Sequence, residues 1–438
     1  MVEALTSLVD RGSLTLSAGV PETVTVERPR QKGHGDYATN VAMQLAKQAG
    51  TNPRALGELL AEELRTAEGI SGVDADVQEP GAYINDLADA VGAAQPGIFD
   101  LPADERRAAV RAKGYEIQLA LQQQSLESFN THFDVWFSEL SLHESGSVPD
   151  TLQRLKDLGH VFEEGGALWM RTTDFGDDKD RVLIKSDGEL TYFASDTAYY
   201  LNKRGRGFGN CIYLLGADHH GYVGRLKAMA SCVGDDPEQT LDVMIGQLVK
   251  ILRDGQELKL SKRAGTIVTL DELAEEIGVD ALRYSLARYP ADSPLVLDIA
   301  EITKASNDNP VFYVQYGHAR TCRMMANAAD LGMSLPEDFD PSLLAHERDG
   351  ELLRALAEYP RVVASAAELR EPHRIARYLE DTTSTFNKWY DTKECRMLPQ
   401  GDEPVTPANE ARLMLVVAAR TVLANGLDLL GVSAPERM

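Results

Sequence analysis

Lys259-Leu260-Ser261-Lys262-Arg263-Ala264-Gly265 is the segment around which the other features of the chain fall into order. Two lysines stand three apart, with a serine between them and a glycine just after. Upstream, Asp254-Gly255 lies between Lys250-Ile251-Leu252 and Leu258, a hairpin signal, because the tight turn needs residues that tolerate positive φ. Downstream, Thr269-Leu270-Asp271-Glu272 has the spacing of a helix capping box. The lysines are therefore expected on a polar connector between a hairpin and a helix. Such a connector can swing over a bound polyphosphate and pair with its oxygens as charge develops. A solvated basic loop has the same composition, so two lysines alone decide nothing.

The chain has 438 residues, enough for roughly two to four domains and a substantial core. Its net charge is −24 and its pI is near 4.8. That acidity speaks against tight non-specific binding to nucleic acid, which needs a basic face. A local basic patch can still steer a polyanion, so a salt-sensitive, shape-dependent RNA contact stays open. No apolar run reaches the roughly 18 residues of a membrane span. Met1-Val2-Glu3-Ala4-Leu5 lacks the basic and apolar blocks of a signal peptide. A cytoplasmic location and no membrane partner are expected. Cys211, Cys232, Cys322 and Cys395 form no CxxC pair, which argues against a zinc ribbon and a disulfide framework.

Residues 1–80 read as a small α/β domain. Val24-Thr25-Val26 has strand composition, Gly33 to Asn40 reads as a turn entering a helix, and Asn52-Pro53 opens another. Leu56, Leu59, Leu60 and Leu64 then mark one apolar face. Residues 81–300 read as an α/β domain. It has helical spacing at 107–112 and 117–126, and a buried strand is expected at Phe133-Asp134-Val135-Trp136-Phe137. A short helix and a hairpin are expected over 151–180, the latter around Gly165-Gly166. Val182-Leu183-Ile184, Asp187-Gly188 and Leu190-Thr191-Tyr192-Phe193 predict a second hairpin. Strands are expected at Cys211–Leu215 and Val243–Ile245. Ligands of such sheets bind at the carboxyl ends of strands, which puts Gly216 and Asp218 to Tyr222 at a site rim. From 301 to 438 the pattern is helical: 311–325, 351–369, 375–390 and 407–430, with a loop at 331–350. A helical bundle is the expected architecture.

Several motifs together carry a resemblance. They are His34-Gly35-Asp36-Tyr37-Ala38-Thr39-Asn40, Gly216-Ala217-Asp218-His219-His220-Gly221-Tyr222, the Lys259 to Gly265 segment, Ser306-Asn307-Asp308-Asn309-Pro310, and the tail Ser433-Ala434-Pro435-Glu436-Arg437-Met438. Lys259 to Arg263 resembles the KMSKS loop of class I aminoacyl-tRNA synthetases, in the form found in the arginine–tRNA ligase family. Leu260 stands where that family has methionine, a volume-conserving change. The resemblance implies a partial class I nucleotide-binding (Rossmann-like) domain between an additional N-terminal domain at the tRNA elbow and a helical anticodon-binding domain. It implies arginine, tRNA and ATP with Mg2+ as substrates, joined through an arginyl-adenylate, in a protein expected to be monomeric. One family feature is missing. None of the nine histidines begins a His-x-Gly-His or His-x-x-His pattern. After Val77-Gln78-Glu79-Pro80-Gly81 the chain passes directly to a segment that resembles one well beyond the HIGH motif. Three readings follow: an arginine–tRNA ligase homologue, a non-catalytic tRNA- or arginine-binding derivative, and a deleted, non-functional product.

Site residues divide by chemistry. Tyr192 and Asp196 pair a phenol with a carboxylate, which suits a guanidinium. A core tyrosine and a capping aspartate would read the same way; the resemblance assigns the pair to the arginine side chain. Asp218, His219 and His220 look like metal ligands. Adjacent strand side chains point to opposite faces and no third ligand follows at typical spacing. No structural metal is therefore expected, and with Gly216 these residues are assigned to an ATP pocket. Lys259, Ser261 and Lys262 are the catalytic candidates, with Lys262 stabilising the transition state as the arginine carboxylate attacks the α-phosphate. Tyr313, Tyr316 and Arg320 share a helix face, and Tyr390 and Arg396 flank another helix end. Stacking on RNA bases is expected there, although a packed stripe has the same pattern.

Overall fold

A computed structural model describes residues 1–21, 23–26, 37, 39–51, 53–67, 70, 73, 83–253, 255–258, 269–306, 308–338 and 340–438. They form two compact units. One is built mainly on Met1–Ser125, the other on Leu126–Leu258 with Asp271–Met438.

In the first unit, helices Val2–Asp10, Val41–Leu45 and Pro53–Leu64 enclose a small core of Leu5, Leu8, Val41, Leu45, Leu56 and Leu60. Leu56 and Leu60 are one turn apart, as the leucine spacing predicts. The strand expected at Val24–Val26 does not form, and Thr39 Oγ1 donates to the Thr25 carbonyl at 2.8 Å. Of the Gly33 to Asn40 motif, only Tyr37, Thr39 and Asn40 are among the described residues. Further on, Tyr83–Ala94 is helical, and the runs at 107–112 and 117–126 are one helix, Ala103–Ser128. Gly114 is buried inside it, with Val91 Cγ2 3.8 Å from where a Cβ would stand.

The second unit contains all eight strands found among the described residues. β1 (Val161–Glu164), β2 (Ala167–Met170) and β3 (Arg181–Ile184) form an antiparallel sheet in that order. Gly165 and Gly166, at φ +60° and +78°, supply the two positive values that the tight turn between β1 and β2 needs. The second predicted hairpin is cut short. Leu190 makes a single bridge to Ile184, and Tyr192–Gly205 is a helix. Burial decides this: Phe193, Ala194, Thr197 and Ala198 go inside at helical spacing.

β4 (Cys211–Gly216) and β5 (Leu241–Gly246) are parallel and joined through the helix Tyr222–Cys232. This β-α-β unit packs on the antiparallel sheet through Met170, Leu183, Tyr200, Leu226, Met229 and Val233. β6 (Val249–Arg253) pairs antiparallel with β7 (Gln256–Glu257) and parallel with β8 (Leu295–Asp298). The expected hairpin thus forms, with Leu252 opposite Glu257 and Gly255 at φ +73°, while Asp254 lies outside the described residues. The helix Leu270–Ile277 starts at the expected capping sequence.

Phe133–Phe137 is not a buried strand. Phe133, Val135 and Trp136 are exposed, and Phe137 stacks on Tyr199 with ring centroids 4.3 Å apart. Strand composition becomes a strand only where a neighbour takes its backbone hydrogen bonds, and no described segment does so here.

The rest is a helical bundle: Pro310–Asp330, Glu347–Ala357, Tyr359–Leu369, His373–Asp391 and Pro407–Leu429. The helix expected over 351–369 is two, parted at Glu358 just before Pro360, which lacks the amide a continuous helix needs. Asp349 is fully buried between these helices. It accepts from Trp389 Nε1 at 2.7 Å and from Arg412 at 3.2 and 3.3 Å. Burial works to raise its pKa, but the hydrogen bonds from Arg412 and Trp389 hold the carboxyl below its ordinary value.

Candidate active site

β4 and β5 end side by side. Gly216 and Gly246 are register partners, so the carboxyl edge of this parallel pair carries no side chains. A Cβ at Gly216 would stand 2.8 Å from Asp218 Oδ1, the end of an exposed side chain that folds back over the glycine. Asp218 and His219 lie in a helical turn, Ala217–His219, and not on a strand. The strand argument for keeping the two histidines apart therefore does not hold. What holds is exposure: Asp218, His219 and His220 are all exposed. His219 Nε2 is 3.6 Å from Asp218 Oδ2, and its ring meets Tyr222 edge-on at 5.4 Å. Among the described residues no three His, Cys, Asp or Glu side chains gather closely enough to hold a metal ion.

Tyr192 and Asp196 stand one turn apart on the helix Tyr192–Gly205. Tyr192 is 85% exposed at its first residue, while Asp196 is half-buried. Burial, then the nearby Glu139 carboxylate, raises the Asp196 pKa above its ordinary value, and Lys203 and Arg225 pull it back. The sequence reading missed Lys203. Its ammonium lies 3.9 Å from the centroids of both the Tyr199 and the Tyr213 rings. Burial pushes its pKa down to about 8. Its seven-residue spacing from Asp196, two helical turns, is the signal that could have placed both on one face. Lys259, Ser261 and Lys262 lie outside the described residues.

On the bundle, folding brings four predicted residues together. The Arg320 guanidinium lies 4.9 Å from the Tyr316 centroid and 4.8 Å from that of Tyr390. Arg320 Nη1 donates to Asn387 Oδ1 at 2.5 Å, and Asn387 Nδ2 donates to the Tyr313 hydroxyl at 3.2 Å. Tyr316 and Tyr390 remain exposed at the rim. Asn387 links the two helices and was missed, although it stands one turn before Tyr390. Arg396 takes no part in this cluster and pairs with Glu403 at 2.9 Å.

Residues 3–85 match the arginyl tRNA synthetase N terminal domain, residues 104–288 the catalytic domain of class I (R) tRNA synthetases, and residues 314–438 the DALR anticodon binding domain. Fold and sequence thus define a class I aminoacyl-tRNA synthetase architecture. The chain is 43% identical to an arginine–tRNA ligase of Paenarthrobacter aurescens, covering 99% of this chain and 98% of the relative. It is 43% identical to another from Kineococcus radiotolerans, covering 100% and 98%. The arginyl-tRNA synthetase of Thermus thermophilus shares the fold, with a TM-score of 0.63 at 19% identity, over 100% of this chain and 99% of that one. The chain belongs to the arginine–tRNA ligase family of aminoacyl-tRNA ligases. Enzymes of this class use ATP, generally with Mg2+, and the family implies tRNA, arginine and ATP as substrates. No helix among the described residues is long and apolar enough to cross a membrane.

Proposed function

We propose that this chain is a cytoplasmic, monomeric arginine–tRNA ligase homologue that contributes the second half of the class I active site. The observation that carries this reading is the 43% identity to arginine–tRNA ligases along 99% of the chain. In the proposed division, residues 1–80 meet the tRNA elbow, 81–300 form the catalytic domain, and 301–438 bind the anticodon. The reaction is attack of the arginine carboxylate on the α-phosphate of the ATP–Mg2+ substrate, expulsion of pyrophosphate, and transfer of arginine from the adenylate to tRNA. Lys262 and Lys259 meet the charge that builds on the phosphates, with Ser261 holding the loop or a phosphate oxygen by its hydroxyl. The bare Gly216 edge with Asp218, His219 and His220 forms the nucleotide rim. Asp196 takes the arginine guanidinium, with Tyr192 against it. Tyr316, Arg320 and Tyr390 offer stacking surfaces to anticodon bases, with Tyr313 beside them and Arg396 at the adjoining helix end.

A second reading is favoured by one specific observation. The alignment to the Paenarthrobacter relative spans 543 positions, and this chain has 438 residues. At least 105 positions of the relative are therefore without a counterpart here. They are internal, because 98% of the relative's length is covered. A lost block that included the HIGH motif would take away contacts to the ATP phosphates and leave a tRNA- or arginine-binding derivative. Charging of tRNA with labelled arginine by the purified chain separates the two. Charging that falls by roughly 100-fold or more in Lys262→Ala supports the ligase. Retained tRNA binding with no charging by the parent chain leaves the binding derivative.

A further inference from the structure

The parallel sheet stops at β4. Its strand order is β4-β5, so among the described residues the outer edge of Cys211–Gly216 is unpaired. Parallel pairs are weaker than antiparallel ones and are ordinarily covered on both faces. Natural edge strands are blunted by lysine, proline, a bulge or short length. β4 has six residues, Cys-Ile-Tyr-Leu-Leu-Gly, none of them Lys or Pro, and its register to β5 runs unbroken. Ile212 is 49% exposed and Leu214 69%. An open cleft of about 310 Å³ is lined by residues of both His132–Val135 and Asn210–Ile212, with Lys203, Arg206 and Phe208. That segment continues to Trp136 and carries the exposed Phe133, Val135 and Trp136 noted above. Two segments of strand composition thus line one cleft, β4 with one edge unpaired and Phe133–Trp136 in no sheet among the described residues.

The occupant follows from the relatives. They contain at least 105 internal positions that this chain lacks. The match to the N-terminal domain ends at residue 85 and that to the catalytic domain begins at 104. We propose that the β4 edge and the Phe133–Trp136 segment are the docking surface for a separate polypeptide that carries this missing half-domain. It adds a strand to β4 through main-chain hydrogen bonds and covers Ile212 and Leu214 with apolar side chains. This inference rests on the reading of the chain as a ligase homologue with an internal block absent.

The test co-expresses the tagged full chain with the internal segment of the Paenarthrobacter aurescens relative that has no counterpart here, made as an untagged polypeptide. The expected result is co-elution at a one-to-one ratio by light scattering. The β4 amides that β5 does not take become slow in hydrogen exchange, and Leu214→Lys weakens the complex by roughly tenfold or more. Leu214 is exposed, so the variant keeps its fold, and Ile212→Lys repeats the test at a second exposed position. Elution of the chain without the segment, while the segment is soluble, overturns the proposal. Self-association that Leu214→Lys abolishes also overturns it, because a second copy is then the occupant. A complex that leaves β4 exchange and both variants unaffected does the same. Arginine charging distinguishes this inference from the reading beneath it. A complex that never charges tRNA keeps the docking surface and sinks the ligase. Charging by the chain alone, with no complex, keeps the ligase and sinks the docking surface.

Discussion

In the proposed function Asp196 holds a guanidinium while half-buried, and burial raises its pKa. A carboxyl whose folded pKa is raised contributes stability at low pH that is lost as pH rises through that pKa. Once ionised, the group therefore opposes folding, and in the proposed function it serves binding. Asp196→Asn should leave the thermal midpoint at pH 7 unchanged or higher and abolish the shift that added arginine produces; thermal unfolding with and without arginine measures both. In the parent protein, arginine binding should weaken on acidification at a pH above the ordinary aspartate value of about 3.9. Lys203 has the opposite shift, down to about 8. Between that pH and the ordinary lysine value of about 10.4 the unfolded chain binds more protons, so this group's contribution to stability rises with pH. Cys211 and Tyr213, raised by burial, work the other way. The readout is accordingly the difference between parent and Lys203→Met in urea unfolding. It should favour the variant below pH 8 and shrink toward pH 10. The one-turn spacing of Tyr192 and Asp196 was legible in the sequence. The sandwich of Lys203 between Tyr199 and Tyr213 was not, because Tyr213 arrives on β4, a separate strand.

Helix signals in this chain are local and hold well. Thr406-Pro407 opens the last helix as a capping box. Thr406 Oγ1 accepts from Asn409 N at 3.3 Å, and Asn409 Oδ1 accepts from Thr406 N at 2.9 Å. Thr406→Ala should lower unfolding stability by about 1 kcal/mol, measured by denaturant titration of the full chain. Gly431 follows this helix at φ +66°, a conformation a side chain disfavours. Strand signals held less well. Cys211–Leu215 and Val243–Ile245 became β4 and β5 because each supplies the other's partner. Phe133–Phe137 has equal strand composition and no partner, so it joins no sheet and Phe133, Val135 and Trp136 stay exposed. The start of the helix at Tyr192 was hidden for a related reason, since only the core that receives Phe193 and Thr197 chooses helix over hairpin.

Across the whole molecule, a net charge of −24 repels itself in the compact state. Raising sodium chloride from about 50 to about 500 mM shortens the Debye length to a few ångströms. The thermal midpoint of the chain should therefore rise with salt, while its affinity for tRNA falls over the same range. Calorimetry and a binding isotherm at each salt concentration check the two directions. An unchanged midpoint would show that the excess acidic charges stand too far apart for their repulsion to weigh on folding. The residues alone were enough for the order of the domains, the tight turn at Gly165-Gly166 and the helix start at Thr406-Pro407, because turn chemistry and capping depend on near neighbours in the chain. The three-dimensional structure alone decided which strand-like segments pair, that Arg320 meets Tyr390 and Asn387 across two helices, that Asp349 is buried with Arg412 and Trp389, and that β4 keeps an open edge. Those outcomes turn on whether a partner distant in sequence is present at the right place, and no local pattern records that.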